Sequence, residues 1–137
     1  MSEEHPTVEQ VVAAFEQGRT VRGALNHREH VMIAWHFART RPGPDGLAEL
    51  ARGIRAVAIG LGKPDLYHET LTWAWFSLVR ERVERLGPAA TWAEFEAASA
   101  DLLSGRALDA LYDRATLDSP LAKRVFVLPD RGRPADA

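Results

Sequence analysis

Helix caps punctuate this chain, and they limit what it can become. Thr7 is followed three residues later by Gln10, Asn26 by Glu29 and Thr91 by Glu94. In each pair the short side chain can accept an amide of the first helical turn while the longer one reaches back to the cap amide. Breakers close what the caps open: Gly18, then Arg41-Pro42-Gly43-Pro44, Gly62-Lys63-Pro64, Gly87-Pro88 and Gly105. A first helix follows Thr7, with Val11, Val12, Ala14 and Phe15 at helical spacing, and a second spans 27–40. The third, capped by Asp45, carries Leu47, Leu50, Ala51, Ile54, Val57, Ala58 and Leu61 on one face. A fourth opens at Asp65 and runs to about residue 86, a fifth covers 92–103 and a short sixth 107–112. Ser119-Pro120 reads as a cap and first-turn proline. The apolar segment 125–129 either finishes a helical turn or lies extended across the bundle.

No run alternates as a strand does. The expectation is therefore an all-α single domain, a compact bundle of about five to six helices. It occupies residues 1–130, with a flexible polar tail at 131–137.

Composition narrows the function classes. With 46% hydrophobic and 26% charged residues the chain has a globular balance. The absence of cysteine removes disulfides, thiolate metal sites and cysteine nucleophiles, and fits a cytoplasmic location. A formal charge of −2 gives no reason to expect nucleic acid. The acidic start Met1-Ser2-Glu3-Glu4-His5-Pro6 shows no signal peptide, and the most apolar stretch, Leu71 to Val79, is far too short to span a bilayer, so no membrane partner is expected.

The histidines carry the chemical interest. Advancing about 100° per residue from His27 places His30, Val31, Ala34, Phe37 and Ala38 on one stripe, and His36 on the opposite side. The same construction from His68 gathers Leu71, Thr72, Trp75, Leu78, Val79, Arg82 and Leu86. Three imidazoles and one guanidinium thus point at a core. Unpaired, each buried polar group costs on the order of 1–3 kcal/mol, so they need partners, a wet cavity or a ligand.

Histidines at i and i+3 can share one ion, and a third from a facing helix completes a set that suits zinc, iron, copper or nickel with a position left open. This requires the starts of the second and fourth helices to meet, which parallel helices with the third returning between them allow. A metal-free reading makes the histidines acid/base groups. A third makes them hydrogen-bonded core residues.

The neighbours divide in the same way. Tyr67 is a candidate proton donor or an amphipathic residue at a helix start, and Glu69 a second proton carrier or a solvated glutamate. Thr72 is a candidate substrate contact or a core threonine bonded to its own helix. Arg82 either clamps a carboxylate or phosphate or pairs with Glu81, Glu84 or a more distant acid. Trp35, Trp73 and Trp92 read as packing, whereas Trp75 shares the His68 stripe and is a candidate substrate wall. Arg52, Arg55 and Lys63 read as a solvated face.

Asn26-His27-Arg28-Glu29-His30, Ala34-Trp35, Tyr67-His68-Glu69-Thr70-Leu71-Thr72-Trp73-Ala74 and Glu81-Arg82 together resemble a largely uncharacterised family of small bacterial helical proteins. Its members carry Asn-His-x-x-His…Ala-Trp and Tyr-His-x-Thr-x-Thr segments. Leu111-Tyr112, Leu117, Ser119, Ala122, Arg124, Phe126, Pro129 and Asp130 are also similar, so the likeness covers about residues 7–130. It implies the helical fold and picks out the same histidines, without a reaction. Some relatives carry a further histidine where this chain has Arg28 and Glu29.

The resulting expectation is a small metal-dependent enzyme. His27, His30 and His68 hold one divalent ion (zinc, iron or copper), Arg82 orients an acidic small molecule, Tyr67 or Glu69 moves a proton, and Thr72 and Trp75 line the substrate site. The alternatives are a metal-free acid/base enzyme of small-molecule biosynthesis, such as a condensation or cyclisation on an amino or keto acid, and a non-catalytic binding protein. Bundles of this size often form homodimers.

Overall fold

The computed structural model describes residues 5–131, and among them every regular element is helical. The four longest are α1 (Val8–Glu16), α2 (His27–Thr40), α3 (Asp45–Gly60) and α4 (Glu69–Leu86). Four short ones follow: α5 (Trp92–Ala97), α6 (Ala100–Leu103), α7 (Arg114–Leu117) and α8 (Pro120–Arg124). Two 3₁₀ turns, Pro64–Leu66 and Ala107–Ala110, complete the set. The all-α bundle is as expected, with eight α-helices among the described residues rather than five or six. None of these helices is long and apolar enough to cross a membrane. Of the tail at 131–137, all but Arg131 lies outside the described residues, as do residues 1–4 of the N-terminal segment.

The caps form where the local pattern places them. Thr7/Gln10, Asn26/Glu29 and Thr91/Glu94 are reciprocal boxes, and the Ser119 side chain accepts the amide of Ala122. Three boundaries differ. Asp45 is the first residue of α3, behind an uncapping Pro44. The expected helix at 92–103 breaks at Ser99, a fully buried residue, because the carbonyl of Ala98 and the hydroxyl of Ser99 both receive Arg82. The fourth helix starts at Glu69 rather than Asp65. Pro64–Leu66 tightens into a 3₁₀ turn, and His68, in extended backbone (φ −134°, ψ 112°), is itself the cap.

α2 packs most extensively on α4, with α1 and α3 next. The two central helices run parallel. His27 and His68, at their starts, line one cavity, while Arg39 near the end of α2 donates to the carbonyl of Pro88, beyond the end of α4 (3.0 Å). α3 returns antiparallel: its start meets Phe37 and Phe76, and Arg55 further along reaches Glu69 at the start of α4. The main core joins Val11, Phe15, Ile33, Phe37, Val79, Phe95 and Leu102. Gly53 is required at the α1–α3 contact, since a methyl group there would overlap the ring of Phe15.

Segment 125–129 lies extended, as one of its two readings had it. The buried Thr70 fastens it: its hydroxyl donates to the carbonyl of Val125 (2.8 Å) and accepts the amide of Val127 (3.1 Å). The Tyr112 hydroxyl donates to the carbonyl of Val127 (2.6 Å), and the Asp130 carboxylate receives the amide of Asp113 (3.0 Å) and the hydroxyl of Thr116.

Candidate functional site

His27, His30 and His68 line a single cavity of about 230 Å³. Parallel α2 and α4 bring their first turns together, and α3 closes the third side with Leu50 and Ile54. Val31, Ala34, Leu71, Thr72, Trp75 and Val79 complete most of the wall. Leu66 also lines it and is 62% exposed, which puts the mouth at the Pro64–Leu66 turn.

The three imidazoles are differently engaged. The Nε2 of His68 lies 2.8 Å from the carbonyl of Leu117, an acceptor only, so this nitrogen carries the proton. Its Nδ1 in turn accepts the amide of Leu71 (3.1 Å). Both nitrogens of His68 are thereby committed. The Nε2 of His27 lies 2.7 Å from the carbonyl of Leu102 and is likewise the donor, which leaves Nδ1 as a lone pair. The His27 ring also meets Trp75 edge to face, with centroids 4.6 Å apart. His30 differs from both. Among the described residues neither of its nitrogens has a hydrogen-bond partner. Burial, with a smaller contribution from His27, lowers its pKa to about 4, so it is a neutral imidazole at pH 7.

The fit to a metal ion follows from these bonds. His68 has no lone pair free, so the three rings offer at most two, and a third ligand would require His68 to give up its cap. Among the described residues no group of three or more histidine, aspartate or glutamate side chains is arranged to hold an ion. As the rings are bonded here, the lone pairs open to an ion are those of His27 and His30.

Thr72 and Trp75 stand in the cavity wall as expected, although Thr72 directs its hydroxyl to the carbonyl of His68 (2.8 Å). Tyr67 and Glu69 sit beside the mouth and do not line the cavity. The Tyr67 hydroxyl donates to Glu69, the Arg55 guanidinium lies 4.3 Å above the Tyr67 ring, and Arg55 approaches Glu69 at 3.4 Å. Burial and the bond to Glu69 push the Tyr67 pKa up to about 12, so it keeps its proton. Arg55 is thus a member of this cluster as well as a surface residue.

Arg82 is not brought to the histidines. Its guanidinium forms a fork on Asp101, with bonds of 3.0 and 2.8 Å, and also reaches the carbonyl of Ala98 and the hydroxyl of Ser99. This is the pairing with a more distant acid that its sequence position left open. The bond to Arg82 holds the Asp101 carboxyl below the usual range. Arg28 and Glu29, between the paired histidines, are also occupied: Arg28 pairs with Glu96 and lies over Trp92, and Glu29 reciprocates the Asn26 cap. Trp35 packs against Trp92 and Phe95, and Trp73 stacks on Phe126.

Leu102 and Leu117 are the partners that sequence reasoning missed. Their carbonyls lie 75 and 49 residues from the histidines that bind them, and no local pattern signals such bonds. Compared with models of known protein families, with curated proteins and with solved structures, the chain matches none.

Proposed function

We propose that the histidine-lined cavity is a small-molecule site in which His30 is the acting group, as a neutral hydrogen-bond acceptor, without a metal ion. One observation carries this reading: of three histidines facing one cavity, two are tied to backbone carbonyls and the third is neutral with no protein partner. An imidazole with no protein partner, whose nitrogens are not sealed from the space of a mostly apolar hollow, is placed to bond a small molecule there. Neutral at pH 7, it keeps a lone pair to accept a hydrogen bond from a ligand, while burial holds down its affinity for a full proton. Thr72 and Trp75 shape the wall, and Tyr67 with Glu69 and Arg55 flanks the entrance. Arg82 serves the α4–α6 contact, so nothing in the lining supplies the cation that an acidic molecule would call for.

The test is a nuclear magnetic resonance screen of the His30 imidazole against neutral and charged single-ring and bicyclic fragments. Ala34→Met, which fills the cavity, is screened alongside. Fragments that move the His30 signals in the native chain and not in the filled variant support the site. No such fragment, or hits that persist in the filled variant, would reject it. Plasma mass spectrometry of native protein and His30→Phe decides the metal question. Close to one transition-metal ion per native chain, lost in the variant, would return the reaction to metal-assisted chemistry.

A further inference from the structure

Resting on that reading, we infer that the cavity takes an uncharged aromatic or heteroaromatic molecule of about one substituted ring, bearing an N–H or O–H that donates to His30.

Charge is the first argument. No aspartate, glutamate, lysine or arginine lines the cavity. Beside the mouth Arg55 is already occupied with Glu69, and Arg82 lies away from the cavity, on Asp101. A carboxylate or ammonium entering the cavity would leave water with no countercharge to meet it, which costs several kcal/mol.

Size and wall chemistry come next. A hollow of about 150 Å³ lined by apolar side chains holds benzene. This one, at about 230 Å³, has room for a ring with one or two substituents. Val31, Ala34, Leu50, Ile54 and Val79 give an aliphatic lining, and Trp75, set edge to face on His27, supplies an aromatic wall for ring contact.

The polar complement sets the third constraint. His68 has both nitrogens engaged, and the hydroxyl of Thr72 is donated to a carbonyl. What remains is the lone pair on Nδ1 of His27, and one lone pair with one N–H on His30. Acceptors outnumber donors two to one, so the ligand that satisfies the site brings more donors than acceptors. Indoles and anilines meet this condition; a phenol supplies one donor and an oxygen that can take the His30 N–H, and a carboxylate supplies no donor.

The experiment titrates the full chain with 4-methylphenol, toluene and benzoate, which share one six-membered ring. Binding is read by calorimetry and by the His30 imidazole signals. The expected result is that 4-methylphenol binds about tenfold more tightly than toluene, the worth of one hydrogen bond. Benzoate binds more weakly than either, and His30→Phe brings 4-methylphenol down to the level of toluene. Benzoate binding at His30 as tightly as 4-methylphenol would overturn the uncharged class and leave the small-molecule site standing. Equal binding of 4-methylphenol and toluene to the native chain would overturn the donor requirement, whether or not the variant folds. If none of the three binds while other fragments move His30, the aromatic class falls alone. If no fragment moves His30, the site itself falls.

Discussion

His68 donates its Nε2–H to the carbonyl of Leu117, 49 residues further along the chain and 2.8 Å away. Leu117 is the last residue of α7, so this carbonyl is one that a helix end leaves without an internal partner. The same ring accepts the amide of Leu71 and so caps the start of α4. One side chain thus completes two helix ends. His68→Ala should cost about 2–4 kcal/mol, the sum of a lost cap and a half-buried carbonyl left unpaired. His68→Asn can still cap α4 but cannot reach Leu117, and should lose about half as much. Urea unfolding of the three proteins measures the difference.

His30 gives stability a defined acid limb. Its pKa is about 4 in the fold against about 6.5 in an unfolded chain, so the unfolded state takes up the proton first. The contribution of the neutral ring is fully present above pH 6.5 and is lost as pH falls towards 4. The loss approaches roughly 3 kcal/mol below that. His30→Phe should flatten this part of the curve of unfolding free energy against pH. Direct titration of the imidazole should find its midpoint well below 6.

Thr70 is completely buried and bonds both Val125 and Val127. Thr70→Val keeps the shape and strands one carbonyl and one amide, at about 2–4 kcal/mol. Thr70→Ser should recover most of this. Hydrogen exchange offers a local reading: the amide of Val127 should lose its protection in the valine variant and keep it in the serine one.

Gly53 lies inside α3, where alanine ordinarily gains about 1 kcal/mol over glycine. Here the added methyl would overlap the Phe15 ring, and Phe15 is buried in the core. Gly53→Ala should therefore destabilise the protein by about 1–3 kcal/mol. In the background of Phe15→Leu the same change should cost much less, and a double-mutant cycle on thermal unfolding isolates this coupling.

Arg82 and Asp101 are mutually engaged away from the histidine cavity. Arg82→Leu should lower stability through the carbonyl of Ala98 and the hydroxyl of Ser99 as well as the ion pair. It should leave the affinity of any cavity ligand within about twofold. A ligand that loses tenfold or more in this variant would place Arg82 in its binding site.

The features legible in the sequence were those written within one helical turn or one helical face. Asn26 with Glu29 announces the start of α2, and the stripe through His27, His30, Val31 and Ala34 announces the cavity wall. The parallel meeting of α2 and α4 was legible only as an arrangement that a shared histidine site would require and that a bundle allows. What stayed hidden was set by partners far along the chain. Nothing near His68 says that the Leu117 carbonyl will accept its N–H, and nothing near Arg82 says that Asp101 is waiting in α6. The start of α4 was misplaced for a related reason. Asp65 has the form of a cap, but Pro64 turns into a 3₁₀ segment and the histidine takes over the capping role. Which nitrogen of a histidine is free depends on the tertiary fold, and no local pattern announces it.

The bonds from His27 to Leu102 and from His68 to Leu117 make the walls of the cavity into fasteners for the later part of the chain. On the function proposed above, a survey of variants scored by loss of ligand binding would rank all three histidines together. Abundance would separate them: changes at His27 and His68 would deplete the folded protein, while a change at His30 could leave it folded, plentiful and inert. Evolution is under the same arithmetic. On the proposed reading, a change of ligand would vary His30 first, because His27 and His68 also hold the later part of the chain in place.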